Sequence, residues 1–116
     1  MSVFAKDRIA VITGAASGIG RAAAQMLAAR GMKLCLFDRN DEALQAVAAA
    51  LGARAVVGDV AKFEDVERLR DEAYSAFGAV HVLMNNAAIE HGSKSWGTLP
   101  RWREIIGVNL WGVVHG

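Results

Sequence analysis

No disulfide can form within this chain, because its one cysteine, Cys35, has no partner. It lies in the apolar run Leu34-Cys35-Leu36-Phe37 with no basic residue beside it, so it reads as a small buried hydrophobe and not as a nucleophile. No apolar stretch approaches the roughly 20 residues that span a membrane, and Met1 to Lys6 has no apolar signal-peptide core. These absences make the cytoplasm the expected compartment. No charge of one sign dominates either. The formal net charge is +1, with acids and bases interspersed, which excludes the basic footprint of a nucleic-acid or anionic-membrane binder. His81, His91 and His115 have no metal-ligand spacing and no cysteine or acidic cluster joins them, so no metal site is expected. Proline occurs once and tyrosine once, at Pro100 and Tyr74.

What remains is a globular composition, 53% hydrophobic and 22% charged, in 116 residues, which is one domain's worth of chain or less. Short apolar runs alternate with amphipathic segments. Arg8–Ile12 reads as a strand, and Ile19–Arg30 as a helix with Ile19, Ala23, Met26 and Leu27 on one inward stripe, closed by Gly31. Lys33–Phe37 is a second strand and Asp41–Leu51 a second helix, with Leu44, Val47, Ala48 and Leu51 inward and Gly52 as its cap. Arg54–Val57 is a third strand. The third helix, Lys62–Phe77, turns Phe63, Val66, Leu69, Ala73 and Phe77 inward, places Glu64 four residues before Arg68 for an ion pair, and ends at Gly78. Val80–Met84 is a fourth strand and Thr98–Val114 a fourth helix, with Thr98 as N-cap and Pro100 in its first turn. The strands are continuously apolar instead of alternating, as parallel strands covered on both faces are. The fold class is therefore α/β, a Rossmann-like doubly wound parallel sheet.

The most informative stretch is Thr13-Gly14-Ala15-Ala16-Ser17-Gly18-Ile19-Gly20, between the first strand and the first helix. A helix N-terminus presents unpaired N–H groups and the positive end of the helix dipole, and missing Cβ atoms let an anion reach the backbone. Glycine is also the default turn residue, so the cluster alone does not distinguish a phosphate site from a turn. Asp38 closes the second strand 18 positions after Gly20, where such a fold places the adenosine ribose. A carboxylate there accepts from the ribose hydroxyls and repels a 2′-phosphate. The plainer reading is a polar residue leaving a strand, and the run Asp38-Arg39-Asn40-Asp41 also holds candidates for the cap of the next helix. Arg39 could hold a 2′-phosphate, but Asp38 favours NAD over NADP.

Asp59-Val60 follows the third strand, and Asn85-Asn86-Ala87-Ala88 follows the fourth, both where strand ends line a ligand crevice. An asparagine pair after a strand is also an ordinary turn sequence. Asn109 continues the stripe Trp102, Ile105, Ile106 and Val113, which points it at the core, either as a satisfied buried amide or as a functional group.

Taken together, the chain resembles the N-terminal, cofactor-binding half of a short-chain dehydrogenase/reductase. The resemblance rests on the TGxxxGxG turn at Thr13–Gly20, the acidic Asp38, the pair Asp59-Val60, the NNAG-like element at Asn85–Ala88 and the helix asparagine in Val108-Asn109-Leu110. Ala88 departs from the family's usual glycine. By this resemblance Gly14, Ser17, Gly18, Ile19 and Gly20 bind the pyrophosphate and the nicotinamide-proximal ribose. Asp38, with Arg39 beside it, takes the adenosine ribose, and Asp59 and Val60 frame the adenine. Asn86, Ala87 and Ala88 line the ribose and nicotinamide side. Thr13 and Asn85 tie neighbouring strands, and Asn109 is the catalytic asparagine that holds a water of the proton relay.

The resemblance further implies hydride transfer between NAD and a small alcohol or carbonyl substrate, and a homo-oligomer with the last helix as an interface element. The family's catalytic serine, tyrosine and lysine have no match here. Tyr74 lies on the third helix with Gly78 four residues on, and Ser93 and Ser95 fall in the loop before the last helix. Tyrosine has a pKa of about 10 and needs that lysine to act near neutrality. The stretch by itself is therefore expected to be inactive, and Gly112-Val113-Val114-His115-Gly116, still helical in pattern with no cap, reads as a truncated end. The loop Ile89 to Gly97, with His91, Lys94 and Trp96, is either part of a substrate mouth or a plain surface loop. The alternatives are a non-catalytic nucleotide-binding or interaction module, and an NADP-dependent carbonyl reductase.

Overall fold

The computed structural model describes residues 2–89 and 98–116. Four parallel strands form one sheet in the order β3-β2-β1-β4: β1 (Ile9–Thr13), β2 (Lys33–Asp38), β3 (Arg54–Val57) and β4 (Val82–Met84). Helices α1 (Gly18–Ala29), α2 (Asp41–Leu51) and α3 (Phe63–Phe77) connect them in turn. After β4 the chain re-enters as α4 (Leu99–Ile106), widens into a π-helical turn over Gly107–Trp111, and closes with α5 (Gly112–His115).

Strand periodicity of two sorts the apolar residues onto two faces. Ala10, Ile12, Leu34 and Leu36 pack with Ala24 of α1 and Leu44 of α2, while Val11, Cys35, Phe37 and Val56 pack with Val66, Leu69 and Ala73 of α3 and with Val108. Both faces are covered, which is the doubly wound arrangement expected from uninterrupted apolar strands. The chain winds outward from β1 to β3 and then crosses back to place β4 on the other side of β1. The reversal leaves a crevice at the carboxyl ends of β1 and β4.

Several elements depart from the periodicity reading. β1 and β2 each extend one residue further, to Thr13 and Asp38, and β4 starts at Val82. On α1 the buried positions are Gly20 and Ala24, while Ile19 and Met26 are 74% and 65% exposed. Small residues face the sheet here because the helix begins against the glycine turn, and a larger side chain at position 20 would strike it. Phe63, at the first position of α3, is also largely exposed. The ion pair of α3 forms one residue away from the expected one. Arg68 reaches Asp65 at 3.7 Å and donates to the Val57 carbonyl at 2.6 Å, drawn back toward β3 instead of to Glu64. Asn40 is the true cap of α2, its Oδ1 accepting from Ala43 N at 3.1 Å. Thr98 occupies the N-cap position of α4 but makes no side-chain cap bond.

The π-helical turn matters most for the site. One wide turn rotates everything after Ile106 away from a 3.6-residue stripe, and such turns recur where a helix serves a functional group. Val108 and Gly112 become the buried positions, and Asn109, expected to face the core, is exposed.

Candidate functional site

The crevice is a cleft of about 400 Å³. Gly14, Ser17, Gly18 and Ile19 line it at the start of α1, Asp38 and Arg39 at the end of β2, and Gly58, Asp59 and Val60 after β3. Asn86, Ala87, Ala88 and Ile89 complete it after β4.

The turn after β1 is built by backbone shape. Gly14 takes φ +67°, and a Cβ there would come within 2.8 Å of Ala87 Cα, so only glycine lets the turn pass this close to the β4 loop. Gly20 does not line the cleft; it is buried, and a Cβ on it would collide with the Gly14 carbonyl oxygen. Its role is to let α1 start directly beneath the turn. Gly18, by contrast, has φ +55° and open space where a Cβ would lie. Ser17 at the N-cap makes no side-chain cap bond, and the first turn of α1 carries no acidic residue, whereas α2 has its Asn40 cap and α3 has Glu64 and Asp65. The N–H groups of that turn and the positive dipole end therefore open onto the cleft, a geometry suited to an anionic group.

Asp38 stands beside the glycine turn, at the end of β2. Its Oδ2 accepts from Ala16 N at 3.0 Å and its Oδ1 from Asn40 N at 2.9 Å. The two bonds fix the carboxylate between the glycine turn and α2 on the cleft lining and leave each oxygen further acceptor capacity. Ala15 N donates to the Phe37 carbonyl at 3.2 Å, tying the turn to β2 a second time. Asp59 is likewise held: its Oδ1 accepts from Ala61 N, and its own N–H donates to Asp65, both at 2.9 Å.

On the β4 side the hydroxyl of Thr13 accepts from Asn86 N and Ala87 N, each at 3.0 Å, and donates to the Met84 carbonyl at 3.4 Å. Thr13 is thus a strand tie, as expected. The partner tie is Asn86, not Asn85. Asn86 Nδ2 donates to the carbonyls of Thr13 and Gly14, each at 3.2 Å, while Asn85 is exposed and makes no hydrogen bond among the described residues. Asn86 thus lines the cleft with its amide committed to the backbone.

Asn109 does not line the cleft. Its amide pairs with both backbone groups of Ile89, which does, so its position is felt through the wall that carries Ile89. Sequence reasoning passed over Phe37, Gly58 and Val108, which also line the cleft, as does Ile89, the first residue of the loop read as either substrate mouth or plain surface. Gly58 left a signal, as a glycine directly after a strand; a Cβ there would lie 2.8 Å from the Phe37 ring. Burial pushes the Cys35 thiol up to about 11, as expected for an inert core residue. No group of three or more potential metal ligands occurs among the described residues. His91, Ser93, Lys94, Ser95 and Trp96 lie outside the described residues. No described helix is long and apolar enough to cross a membrane.

Comparison with known proteins agrees with the geometry. A family profile described as short chain dehydrogenase matches residues 8–116. The chain is 40% identical over 111 residues to a cyclohexanol dehydrogenase of Acinetobacter sp. (strain SE19), covering 90% of this chain and 44% of that one. It is similar in structure to a short chain dehydrogenase/reductase from Burkholderia phymatum in complex with NAD, at TM-score 0.91 and 42% identity, over 100% of this chain and 43% of the other. A 3-ketoacyl-(acyl-carrier-protein) reductase from Brucella melitensis complexed with NADH gives TM-score 0.92 and 35% identity, over 98% and 48% of the two chains. The chain spans less than half the length of each of these three proteins.

Proposed function

We propose that this chain, which belongs to the short chain dehydrogenase family, is the NAD-binding part of an oxidoreductase acting on a small alcohol or carbonyl compound. The observation that carries the reading is that an uncapped helix N-terminus and a fixed carboxylate line one cleft. The open space at Gly18 and the unpaired N–H groups of the first turn of α1 fit a diphosphate. The carboxylate of Asp38 fits a ribose diol and opposes a 2′-phosphate.

When bound, the nicotinamide ring accepts or releases hydride. The residues of this chain do the holding. Gly14, Ser17, Gly18 and Ile19 receive the diphosphate, and Gly20 keeps the turn in place. Asp38 and Arg39 flank the adenosine ribose, and Asp59 and Val60 frame the adenine. Asn86, Ala87 and Ala88 border the nicotinamide half. Asn109 acts there by fixing the backbone of Ile89. The family resemblance assigns the reaction's proton transfer and substrate positioning to a serine, a tyrosine and a lysine that have no match in this stretch, so the reading includes no turnover by the stretch alone.

Arg39 supports a second reading, in which NADP is used. It lies on the cleft directly beside Asp38, where a guanidinium can hold a phosphate. Exposed Trp102 and Ile106 of α4, with Leu110 and Trp111 of the π-helical turn after it, support a homo-oligomer with this last helical stretch as an interface element. The free buried cysteine is consistent with a cytoplasmic setting.

Fluorescence titration of the full-length protein with NADH and NADPH tests the reading. Saturable NADH binding, tighter than NADPH, is expected. Preference for NADPH would overturn the choice of cofactor, and binding of neither would overturn the function.

A further inference from the structure

Val60 is buried and its carbonyl oxygen faces α5, where it lies 2.8 Å from Nδ1 of His115. A carbonyl only accepts, so Nδ1 carries the proton and donates. This is the one hydrogen bond made by that carbonyl among the described residues. The imidazole is held in place from two sides. The Phe63 ring meets it edge-on, with centroids 5.5 Å apart and planes at 62°, and the Trp111 ring stacks at 6.5 Å and 26°. Gly112 makes the approach possible, since a Cβ there would come within 2.6 Å of Val60 Cγ2.

From this geometry we infer that His115 is a positioning residue for the adenosine half of the dinucleotide, acting through the Val60 carbonyl on the cleft wall formed by Gly58, Asp59 and Val60. The inference rests on the cleft being the dinucleotide site. The wall has two anchors of different origin. Asp65 of α3 holds Asp59 from its own connection, and His115 holds Val60 from an element 55 residues further along the chain. Only the second couples the wall to α5, and so to the π-helical turn that also directs Asn109 to Ile89. Removing the donor leaves a buried carbonyl unpaired and frees the wall at its last residue, Val60.

The test uses the full-length protein, with NADH and, as its competitor, AMP as probes. His115→Phe keeps a ring between Phe63 and Trp111 but removes the donor. His115→Asn loses the ring but places an amide N–H where Nδ1 lies. Loss of one such bond is expected to weaken NADH and AMP by the same factor, roughly five- to tenfold, in His115→Phe, with His115→Asn near the native affinity. Native affinity in His115→Phe would overturn the inference, as would a fall for NADH with none for AMP. Ring 15N shifts of the unliganded native protein give a check that needs no variant. Protonation at Nδ1 supports the inference, and protonation at Nε2 alone overturns it. Failure of the native protein to bind either NADH or AMP would remove the reading of the cleft itself, and this inference with it.

Discussion

Asn109 and Ile89 are joined twice: the Ile89 N–H donates to Asn109 Oδ1 at 2.8 Å, and Asn109 Nδ2 donates to the Ile89 carbonyl at 3.0 Å. A side-chain amide here imitates the edge of a strand and closes off the segment that follows β4. Asn109→Ala removes both bonds and is expected to lower stability by about 1–2 kcal/mol, since both groups are partly solvated. Urea midpoints of the full-length protein measure this, and an unchanged midpoint would show that the pair holds nothing. NADH affinity is expected to fall with it, because Ile89 lines the cleft.

The glycines of the turn are not equivalent. At Gly20 an added Cβ meets the Gly14 carbonyl and Asn86 Nδ2, two rigid groups, whereas at Gly18 it meets open space and only the left-handed backbone resists it. Gly20→Ala is expected to lose about 3 kcal/mol by overpacking, and Gly18→Ala about 1–2 kcal/mol. Thermal melts rank them; a Gly20→Ala protein as stable as Gly18→Ala contradicts the packing described.

Asp38 combines two tasks, anchoring Ala16 and Asn40 and presenting charge to the ribose. Asp38→Asn removes the charge and leaves one acceptor in place, so the ratio of NADH to NADPH affinity is expected to drop by about tenfold or more, with Arg39 gaining influence. Paired titrations of the two cofactors decide it. A ratio that does not move would assign discrimination elsewhere.

Ile9 is buried, and its N–H donates to Nδ1 of His81 at 3.0 Å, while the His81 N–H returns a bond to the Ile9 carbonyl at 2.9 Å. His81→Leu leaves that N–H without an acceptor, for a loss of about 1–3 kcal/mol. His81→Asn restores an acceptor and is expected to recover most of it. Equal midpoints for the two variants would rule out the acceptor role.

For Cys35 the sign of the pH effect follows from its thiol being held up to about 11 by burial, against an ordinary value of 9.0. Below pH 9 both states keep the proton. As pH rises toward 11 only the unfolded chain loses it, so stability falls across that window. In Cys35→Ala this part of the fall is expected to vanish, measured as the difference in urea midpoint between pH 8 and pH 10. At pH 7.5 the native thiol should label with iodoacetamide at about one-hundredth the rate of the denatured chain or less.

The alternation of strand and helix was legible from residue spacing alone, because a run such as Ile9-Ala10-Val11-Ile12 and a stripe such as Leu44, Val47, Ala48, Leu51 record local geometry. So was the turn at Gly14 and Gly18, since positive φ favours glycine wherever it occurs. The face of α1 was legible only in part: Ala23 and Leu27 pack on the core while Ile19 and Met26 turn outward, because periodicity reports apolar character and not which small residues the neighbouring turn has room for.

What the residues by themselves determined is a doubly wound α/β half with a glycine turn, an acidic strand end and an asparagine in the last helix. Tertiary structure decided how those parts meet. It chose Asn86 over Asn85 as the tie to Thr13, because β4 lies against β1 in a register that local pattern does not record. It turned Asn109 from the core to Ile89 through one π-helical turn, since a single wide turn rotates every later side chain. It brought His115 to Val60 across 55 positions, a contact set by strand order and helix packing and so beyond the reach of any local signal.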